Sequence, residues 1–308
     1  MKHLFIINPA AGSRNRTLES GEIIHKVCRV RGLDYEIRVS TAPGECGRIA
    51  REAAKTGEEY RIYACGGDGT LNEVAGGVAG FNNVAITVYS SGSGNDFAKL
   101  FDEPKAFFDL HRLMDADEAT FDLIRCNDDF ALNICSVGLD ARIGTDVSNY
   151  KRLPLLHGFR AYAASTVVNV IKGIAEHYVV DVDGETFDDE FTFVCVCNGR
   201  YYGGGFNPVP EADPADGKLD VLLVKKVTRA QVPFLIGKYK DGRYRELQDV
   251  ATYRKADSVK ILCGQPVSIN VDGELRTAKE VEMTVAEEKI RFFYPKGLSW
   301  QAKETEKV

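Results

Sequence analysis

The stretch CGGDGTLNEV, residues 65–74, constrains the fold more than any other part of this 308-residue chain. A short apolar run, RIYA, precedes it. After it, apolar residues recur at the spacing of one helix face: Leu71, Val74, Ala75 and Val78. The pattern predicts a buried strand that turns sharply through residues 66–69 into a helix beginning at Thr70.

The glycines of this turn suit a phosphate group. Glycine lets the backbone approach a ligand closely, and a helix N-terminus offers free N–H groups and a positive dipole. The turn is not a Walker A loop, because no lysine follows the glycines. Beside bound phosphates Asp68 would be repelled, and Mg²⁺ would reconcile the two charges. The alternative interpretation is that Asp68 merely caps the following helix.

Over the first ~120 residues strand-like runs, among them LFII, RIYAC and VAITVY, alternate with helix-like segments, and NDFAKLF is expected to open a further helix. This alternation indicates a mostly parallel sheet covered on both faces. Ligands of such sheets bind beyond the carboxyl ends of the strands. The unusual loops fall at those ends: NPAAG at 8–12, ST at 40–41, GGDGT at 66–70 and SSGSGND at 90–96. Four loops at one edge predict a single site.

From about residue 121 the pattern becomes a series of strand-like runs separated by turn signals, the last of them KIRFFY, which is typical of an antiparallel sandwich or barrel. Helical insertions are expected at roughly 157–176 and 228–240. The expected domains are therefore residues 1–122, α/β, and residues 123–295, β. The sequence leaves open whether residues 296–308 return to the first domain.

Composition excludes several classes of protein. No apolar run approaches the roughly 18 residues of a membrane span, and the N-terminal apolar run Leu4–Ile7 is shorter than the ~7–15 residues of a signal-peptide core. A cytoplasmic protein is expected. The net charge of −6 disfavours nucleic-acid binding. Cys195 and Cys197 share a strand face, and buried reduced thiols are favoured there over a metal site.

The motifs NPAAG, GGDGTLNEV, SGSGNDFAK, YYGGG with ADPADGKLDV, and the terminal VDGE resemble the diacylglycerol kinase catalytic family, in its bacterial soluble lipid-kinase branch. They span residues 8 to 274 in that family's order. GGDGT alone is shared with NAD kinases and phosphofructokinases, whereas the other motifs are more selective. The resemblance implies a phosphofructokinase-like nucleotide domain followed by a β-sandwich domain, with ATP near the cleft between them.

The resemblance also implies roles for individual residues. Asp68 and Asp96 would organise the catalytic Mg²⁺, partly through waters, with Asp122 supporting them, and Glu274 would be the general base. ATP would contact the loops at the predicted edge: Asn8, Pro9, Ala10, Ala11, Gly12, Thr41, Gly66, Gly67, Asp68, Gly69, Thr70, Leu71, Asn72 and Ser93.

A separate structural metal is implied at the PADG loop. The Asp216 carboxylate would hold it with main-chain oxygens near Asp213 and Lys218, although simple turn chemistry is the alternative for both aspartates. The chain departs from the family pattern at Ser93, where threonine is usual, and in the preceding turn, where YSS replaces a proline. It also has little lysine in the phosphate loops.

Three functions remain open at this point. The leading one is an ATP-dependent kinase of diacylglycerol or a related lipid alcohol presented at a membrane surface. The others are a NAD kinase-like enzyme with a soluble acceptor and a nucleotide-sensing module without turnover. The segment 149–162, with basic residues around an apolar run, either docks on an anionic bilayer at the inner membrane face or leads into a packed helix. A homodimer is compatible with the sequence.

VDGE occurs twice, at 182–185 and 271–274, and both Asp-Gly pairs suit hairpin turns. Local pattern does not distinguish Glu185 from Glu274 as the base. Motif order does, because in the lipid-kinase pattern the base follows the ADPADGKLD segment. Glu274 is therefore the predicted base and Glu185 an ordinary turn residue.

Overall fold

The computed structural model of the chain describes residues 1–12, 16–90, 95–151 and 159–300. The first part of the chain alternates between strands and helices, in this order: β1 (Lys2–Ile7), α1 (Thr17–Arg31), β2 (Tyr35–Val39), α2 (Glu45–Lys55), β3 (Tyr60–Gly66), α3 (Asp68–Val78), β4 (Val84–Ser90), α4 (Leu110–Met114) and β5 (Ala116–Phe121). Two 3-10 turns, Phe97–Leu100 and Pro104–Phe108, precede α4.

The remaining elements are mostly strands. In chain order they are β6 (Ile124–Cys126), β7 (Asp129–Ala131), β8 (Ile134–Gly138), α5 (Leu139–Lys151), α6 (Phe159–Lys172), β9 (Glu176–Val182), β10 (Glu185–Cys197), β11 (Leu219–Lys225), α7 (Val232–Lys240), β12 (Ala251–Ala256), β13 (Ser258–Val271), β14 (Glu274–Val285) and β15 (Ile290–Pro295). Two further 3-10 turns flank α7, at Arg229–Gln231 and Tyr244–Leu247.

The first sheet has six strands in the order β2-β1-β3-β4-β15-β5. All its pairs are parallel except β15 with β5. The central strands β3 and β4 are buried along nearly their whole length, as expected when helices cover both faces of a parallel sheet. The expected α/β class of the first domain is confirmed.

The last strand returns to this first sheet. Backbone contacts divide the chain into a first unit, Met1–Leu123 with Ala286–Val308, and a second unit, Ile124–Val285. The expectation that residues 286–295 belong to the second domain is wrong, because β15 pairs with β4 and β5. Phe292 of β15 then packs at 4.9 Å, between ring centres, against Phe97 in the fourth loop region.

The second unit is antiparallel throughout, with the order β12-β11-β10-β8-β13-β14-β6-β7 and with β9 pairing both β10 and β13. The two long strands, β10 and β13, each exchange partners along their length, as a β-sandwich requires. Alternate residues of β10 enter two apolar clusters, so Val194 and Val196 lie in one and Cys195 and Cys197 in the other. These two cysteines are buried free thiols, as expected.

The predicted helical insertions are only partly correct. α6 and α7 lie within the expected ranges, but α5 directly follows β8 and was not expected. Residues 152–158 of the basic segment 149–162 lie outside the described residues. Within the described part of the chain, no helix combines the length and the apolar character needed to cross a membrane.

Helices α2 and α3 approach each other at glycines. A Cβ atom at Gly77 would lie 2.3 Å from the Gly47 carbonyl oxygen, and a Cβ at Gly47 would lie 2.5 Å from the Glu73 carbonyl oxygen. No other residue could occupy either position without moving the backbone, because real Cβ atoms do not approach so closely.

Replacing Gly77 by alanine is therefore expected to destabilise the protein by about 1–3 kcal/mol through overpacking. Gly21 is the matched control, since it also lies inside a helix, α1, but has no atom within 4 Å of an added Cβ. Gly21→Ala should be neutral or stabilising by about 0.5–1 kcal/mol. Denaturant midpoints measure both, and equal behaviour of the two variants would contradict the close contact.

Candidate functional site

The first loop is fixed to the glycine turn by Asn8, which directly follows β1. The Asn8 side-chain amide donates to Thr70 Oγ1 at 3.0 Å, and Asn8 Oδ1 accepts from the backbone N–H of Ala10 at 3.0 Å. Gly12 then adopts a positive φ of 83°. The structure thus brings together the predicted loop 8–12 and the start of α3.

The strand-to-helix turn needs glycine at Gly66. An added Cβ there would lie 2.2 Å from Thr70 Oγ1, the atom that Asn8 contacts. Gly67 is the N-cap, and no side chain caps the helix. Gly69 has open space around it, whereas Thr70 is buried. A ligand can therefore approach the uncapped N–H groups of α3 at the Gly69 side.

The next two predicted residues of α3 face inward. Leu71 is 1% exposed and belongs to the core. Asn72 is half-buried, and its buried Oδ1 has no hydrogen-bond partner in the part of the chain that the structure describes. A buried polar atom in that state is costly. Asn72 thus remains open to a polar partner from a ligand or water.

Asp68 links the glycine turn to the fourth loop. Its Oδ1 accepts from the backbone N–H of Phe97 at 3.1 Å. Asp96, the residue before, is 4% exposed and pairs with Lys99 Nζ at 2.6 Å. Asp68 is therefore hydrogen-bonded to the residue that follows Asp96. Ser93 lies outside the described residues.

Asp122 is paired within the first unit. It is 1% exposed, and its Oδ1 lies 2.7 Å from Lys289 Nζ on the returning segment. A buried carboxylate needs such compensation. Lys289 was not predicted, because it lies far along the chain from Asp122 and carries no local signal.

The second loop is held by two glutamates. Thr41 Oγ1 donates to Glu45 Oε2 at 2.7 Å. Hydrogen bonds from Thr41, first from its backbone N–H, and from Arg48 lower the pKa of Glu45 to about 2. Glu73 of α3 accepts from the backbone N–H of Gly44 at 2.9 Å and of Cys46 at 3.1 Å, and so caps the N-terminus of α2. Sequence reasoning missed Glu73, although it lies within the GGDGTLNEV motif.

In the second unit the terminal VDGE forms a two-residue hairpin turn between β13 and β14. Asp272 and Gly273 have φ values of 47° and 94°, as a type I′ turn requires. The Asp272 carboxylate accepts backbone N–H groups of residues 132–134, with that of Ile134 at 2.8 Å. This carboxylate fixes the turn that presents Glu274.

The earlier VDGE has the same design. Asp183 and Gly184 have φ values of 49° and 89°, and the Asp183 carboxylate accepts the backbone N–H groups of Asp257 and Ser258, both at 2.8 Å. The two similar sequences therefore form similar turns. The conformation of the turn does not show whether Glu185 or Glu274 is the base.

The partners of the two glutamates do distinguish them. Glu185 forms a two-point pair with Arg254 at 2.7 and 2.8 Å, and this hydrogen bonding lowers the pKa of Glu185. Glu274 is 63% exposed, and the nearest guanidinium nitrogen of Arg276 lies 3.9 Å from it. The Glu274 carboxylate is thus held less closely by an arginine than the Glu185 carboxylate is.

The PADG loop is stabilised by its own side chains. Asp216 Oδ1 accepts the backbone N–H of Lys218 at 3.0 Å, and Asp216 Oδ2 lies 2.5 Å from Lys255 Nζ. Asp213 Oδ1 accepts the backbone N–H of Ala215 at 3.0 Å, and Lys218 Nζ pairs with Asp257. A cation at Asp216 would compete with the ammonium group of Lys255.

Among the residues that the structure describes, no three His, Cys, Asp or Glu side chains form a group that could hold a metal ion. Mg²⁺ does not need one, because it keeps several waters and is commonly bound through one or two carboxylates. Asp68 at the glycine turn and Asp96 on the adjoining loop, next to Phe97, supply one or two such carboxylates. The donor set at the glycine turn therefore fits Mg²⁺.

The YYGGG motif has a structural role that sequence reasoning did not identify. The Tyr202 hydroxyl donates to Asp140 Oδ1 at 2.6 Å and lies 2.7 Å from the Tyr239 hydroxyl. Burial raises the pKa of Asp140. The three glycines, 203–205, all have positive φ, which only glycine adopts readily. The motif therefore turns the chain so that Tyr202 reaches a buried carboxyl group.

Comparison with known proteins gives matches over both units. Residues 2–126 match the diacylglycerol kinase catalytic domain, and residues 133–294 match the YegS C-terminal NAD kinase beta sandwich-like domain. A Xanthomonas oryzae pv. oryzae protein named "Probable lipid kinase YegS-like" is 29% identical over 282 residues, which cover 87% of this chain and 89% of that protein.

Solved structures show the same fold. A crystal structure from Bacillus anthracis str. Sterne, described as a diacylglycerol kinase, has 20% identity and a TM-score of 0.69, covering 95% of this chain and 96% of that one. A second crystal structure from that organism has 22% identity and a TM-score of 0.75, with the same coverage.

Proposed function

The chain belongs to the diacylglycerol kinase family, in which it joins a diacylglycerol kinase catalytic domain to a YegS C-terminal domain, and we propose that it is an ATP-dependent lipid kinase. It transfers the γ-phosphate of ATP to the hydroxyl group of diacylglycerol or a related lipid alcohol at the inner membrane face. In this proposal the first unit is a phosphofructokinase-like nucleotide-binding domain and the second unit supplies residues for the lipid substrate.

The observation that carries the proposal is the linkage of three loops by two side chains. Asn8 holds the first loop to Thr70, and Asp68 holds the glycine turn to Phe97. Phosphoryl transfer depends on positioning and charge stabilisation more than on covalent chemistry. Loops fixed to one another in this way are suited to positioning a triphosphate.

The backbone would bind the phosphates. The uncapped N-terminus of α3 offers N–H groups and positive dipole to an anion, and the open space at Gly69 leaves room for its approach. Asn72, with its buried side-chain oxygen, would accept a hydrogen bond from the nucleotide or a bound water. These groups compensate for the scarcity of lysine in the loops.

Asp68 and Asp96 would hold Mg²⁺, which when bound neutralises charge on the β- and γ-phosphates. Lys99 balances Asp96, and Lys289 balances Asp122. These ion pairs hold the two carboxylates in place.

Glu274 would accept the proton of the acceptor hydroxyl. A carboxylate held by arginine, as Glu185 is, has a lowered pKa and is a weaker base. Glu274 is presented on a hairpin that Asp272 anchors, and its contact with Arg276 is long. This difference supports the choice that motif order suggested.

The test is ADP release from ATP and Mg²⁺ with and without a panel of lipid alcohols in vesicles. We expect release that depends on a lipid hydroxyl and yields a phosphorylated lipid. Release with NAD and not with lipid would instead indicate a soluble acceptor, and nucleotide binding without release under any condition would indicate a regulator. Either outcome would contradict the proposal.

We also propose the structural metal at Asp216, with main-chain oxygens near Asp213 and Lys218. Asp216→Asn is expected to remove Mg²⁺-dependent stabilisation, which for a native-state ligand at 100 times its Kd amounts to about 2.7 kcal/mol. The amide oxygen can still accept the Lys218 N–H, so the turn persists. Melting temperatures in Mg²⁺ and in EDTA measure the effect.

Two variants control this experiment. Lys255→Met removes the competing ammonium group and should increase the stabilisation by Mg²⁺. Asp257→Asn, which breaks the neighbouring pair with Lys218, should shift the melting temperature equally in both buffers. An Asp216→Asn shift that is the same in Mg²⁺ and EDTA would remove the metal from the proposal.

A further inference from the structure

We propose that the first unit carries a second anion-binding site, which takes a phosphate monoester. The site is a cavity of about 260 Å³. Five residues line it: the basic residues Arg31, His111, Arg112 and Lys296, and one acidic residue, Asp115. None of them belongs to the loops of the candidate nucleotide site, and the inference does not depend on the proposed kinase activity.

The concentration of cations is unusual for this chain. The protein has a net charge of −6, yet Arg31, Arg112 and Lys296 line one cavity with a single carboxylate, Asp115. These residues come from the end of α1, from α4 and its C-cap, and from the segment after β15. Three separate parts of the chain therefore converge to give the lining a surplus of positive charge.

Asp115 pairs with Arg31 and holds its guanidinium in place. Its two oxygens accept from Arg31 at 2.9 and 3.0 Å, and the Arg31 guanidinium also donates to the His111 carbonyl oxygen at 3.2 Å. The guanidinium is thereby fixed, and a fixed donor loses little entropy when a ligand binds. Glu103, outside the lining, pairs with Arg112 at 2.6 Å.

Two donors are left for a ligand. Over the described residues, neither the Lys296 ammonium nor the His111 ring has a side-chain hydrogen bond or ion pair. Lys296 is fixed at its backbone, where its N–H donates to the Asp115 carbonyl oxygen at 2.9 Å. A phosphate monoester carries about −1.5 to −2 charges at pH 7 and three acceptor oxygens. Its negative charge complements the Lys296 ammonium, unpaired among the described residues, and its oxygens can accept hydrogen bonds from these donors.

Two exposed apolar residues lie close in sequence to residues that line the cavity. Val30, 77% exposed, precedes Arg31, and Phe108, 48% exposed, lies three residues before His111. A monoester could therefore arrive as a free metabolite or as the headgroup of an anionic lipid whose surface these side chains touch. Both sources share the same phosphate chemistry, and the experiment separates them.

The experiment measures binding to the full-length protein. The free probes are inorganic phosphate and glycerol 3-phosphate, followed by calorimetry. The lipid probes are phosphatidylcholine vesicles alone, with phosphatidic acid, which is a monoester, or with phosphatidylserine, which is a diester. Lys296→Glu is expected to weaken monoester binding by about tenfold or more, as loss of a charge-assisted hydrogen bond does.

Lys55→Glu is the matched control, because Lys55 is also exposed on the first unit and has no ion pair with a described residue. It should leave monoester binding unchanged. Arg112→Gln is the second variant, in case the charge reversal at Lys296 impairs folding, and should also weaken binding.

Binding of the free probes supports a metabolite site, and binding of only the phosphatidic acid vesicles supports a headgroup site. The proposal is overturned if no monoester binds, if Lys296→Glu and Lys55→Glu behave alike, or if phosphatidylserine vesicles bind as well as phosphatidic acid vesicles. The last result would mean general electrostatic adsorption.

Discussion

Replacing Glu274 by glutamine is expected to lower kcat about 10²- to 10⁴-fold, which is the usual cost of losing a general base. The amide has nearly the same shape but cannot accept the proton of the acceptor hydroxyl. The hairpin should persist, because Asp272 and not Glu274 anchors it. ATP affinity should stay close to that of the wild type, since the nucleotide loops lie in the first unit. Steady-state kinetics of ADP release and nucleotide binding by calorimetry provide the two readouts.

Glu185→Gln is the control that the chain itself offers. Glu185 occupies the same position in a hairpin of the same turn type, so any general effect of the substitution on such a turn appears in both variants. It should lose only its surface pair with Arg254 and retain wild-type kcat. An equal loss of kcat in the two variants, or a loss in Glu185→Gln alone, would rule out Glu274 as the base.

Replacing Asp68 by asparagine is expected to reduce turnover at least about 10²-fold, because the proposed role of Asp68 as a ligand to the catalytic Mg²⁺ requires its charge. The substitution removes the negative charge of Asp68 but keeps a side-chain oxygen of the same size. The asparagine Oδ1 can still accept the Phe97 N–H, so the link between the glycine turn and the fourth loop should survive. Activity over a Mg²⁺ titration, together with circular dichroism, measures the effect.

Asp34→Asn is a suitable control for Asp68, because Asp34 is an exposed aspartate of the same unit outside the candidate site. It should leave activity and its Mg²⁺ dependence unchanged. A folded Asp68→Asn protein that turns over at nearly the wild-type rate would show that Asp68 only shapes the loop, which is the helix-start role that its sequence position also allows.

The local elements of the first unit were largely predictable. The apolar runs LFII, RIYAC and VAITVY fall within β1, β3 and β4. The start of α3 was placed two residues late, because Gly67, in an extended conformation, is the N-cap. The segment NDFAKLF was expected to open a helix but contains only a 3-10 turn at Phe97–Leu100.

The sequence does not indicate which strands and side chains that are distant along the chain contact one another in the fold. The run KIRFFY was recognised as a strand, but nothing local indicates that Arg291 and Phe292 pair with β4. The same holds for the side-chain partners at the site. Lys289 reaches Asp122 across more than half of the chain, and Asp140 finds its hydroxyl partner in the YYGGG motif. Such partners depend on the completed fold.

The close packing of α2 on α3 also bears on how tightly a ligand can be bound. Glu73 of α3 holds the first turn of α2 by two backbone hydrogen bonds, and the backbones touch at Gly47 and Gly77. The second loop and the glycine turn therefore cannot shift independently. If a nucleotide spans both loops, as the proposed function requires, the protein loses less conformational entropy on binding than it would with two independent loops.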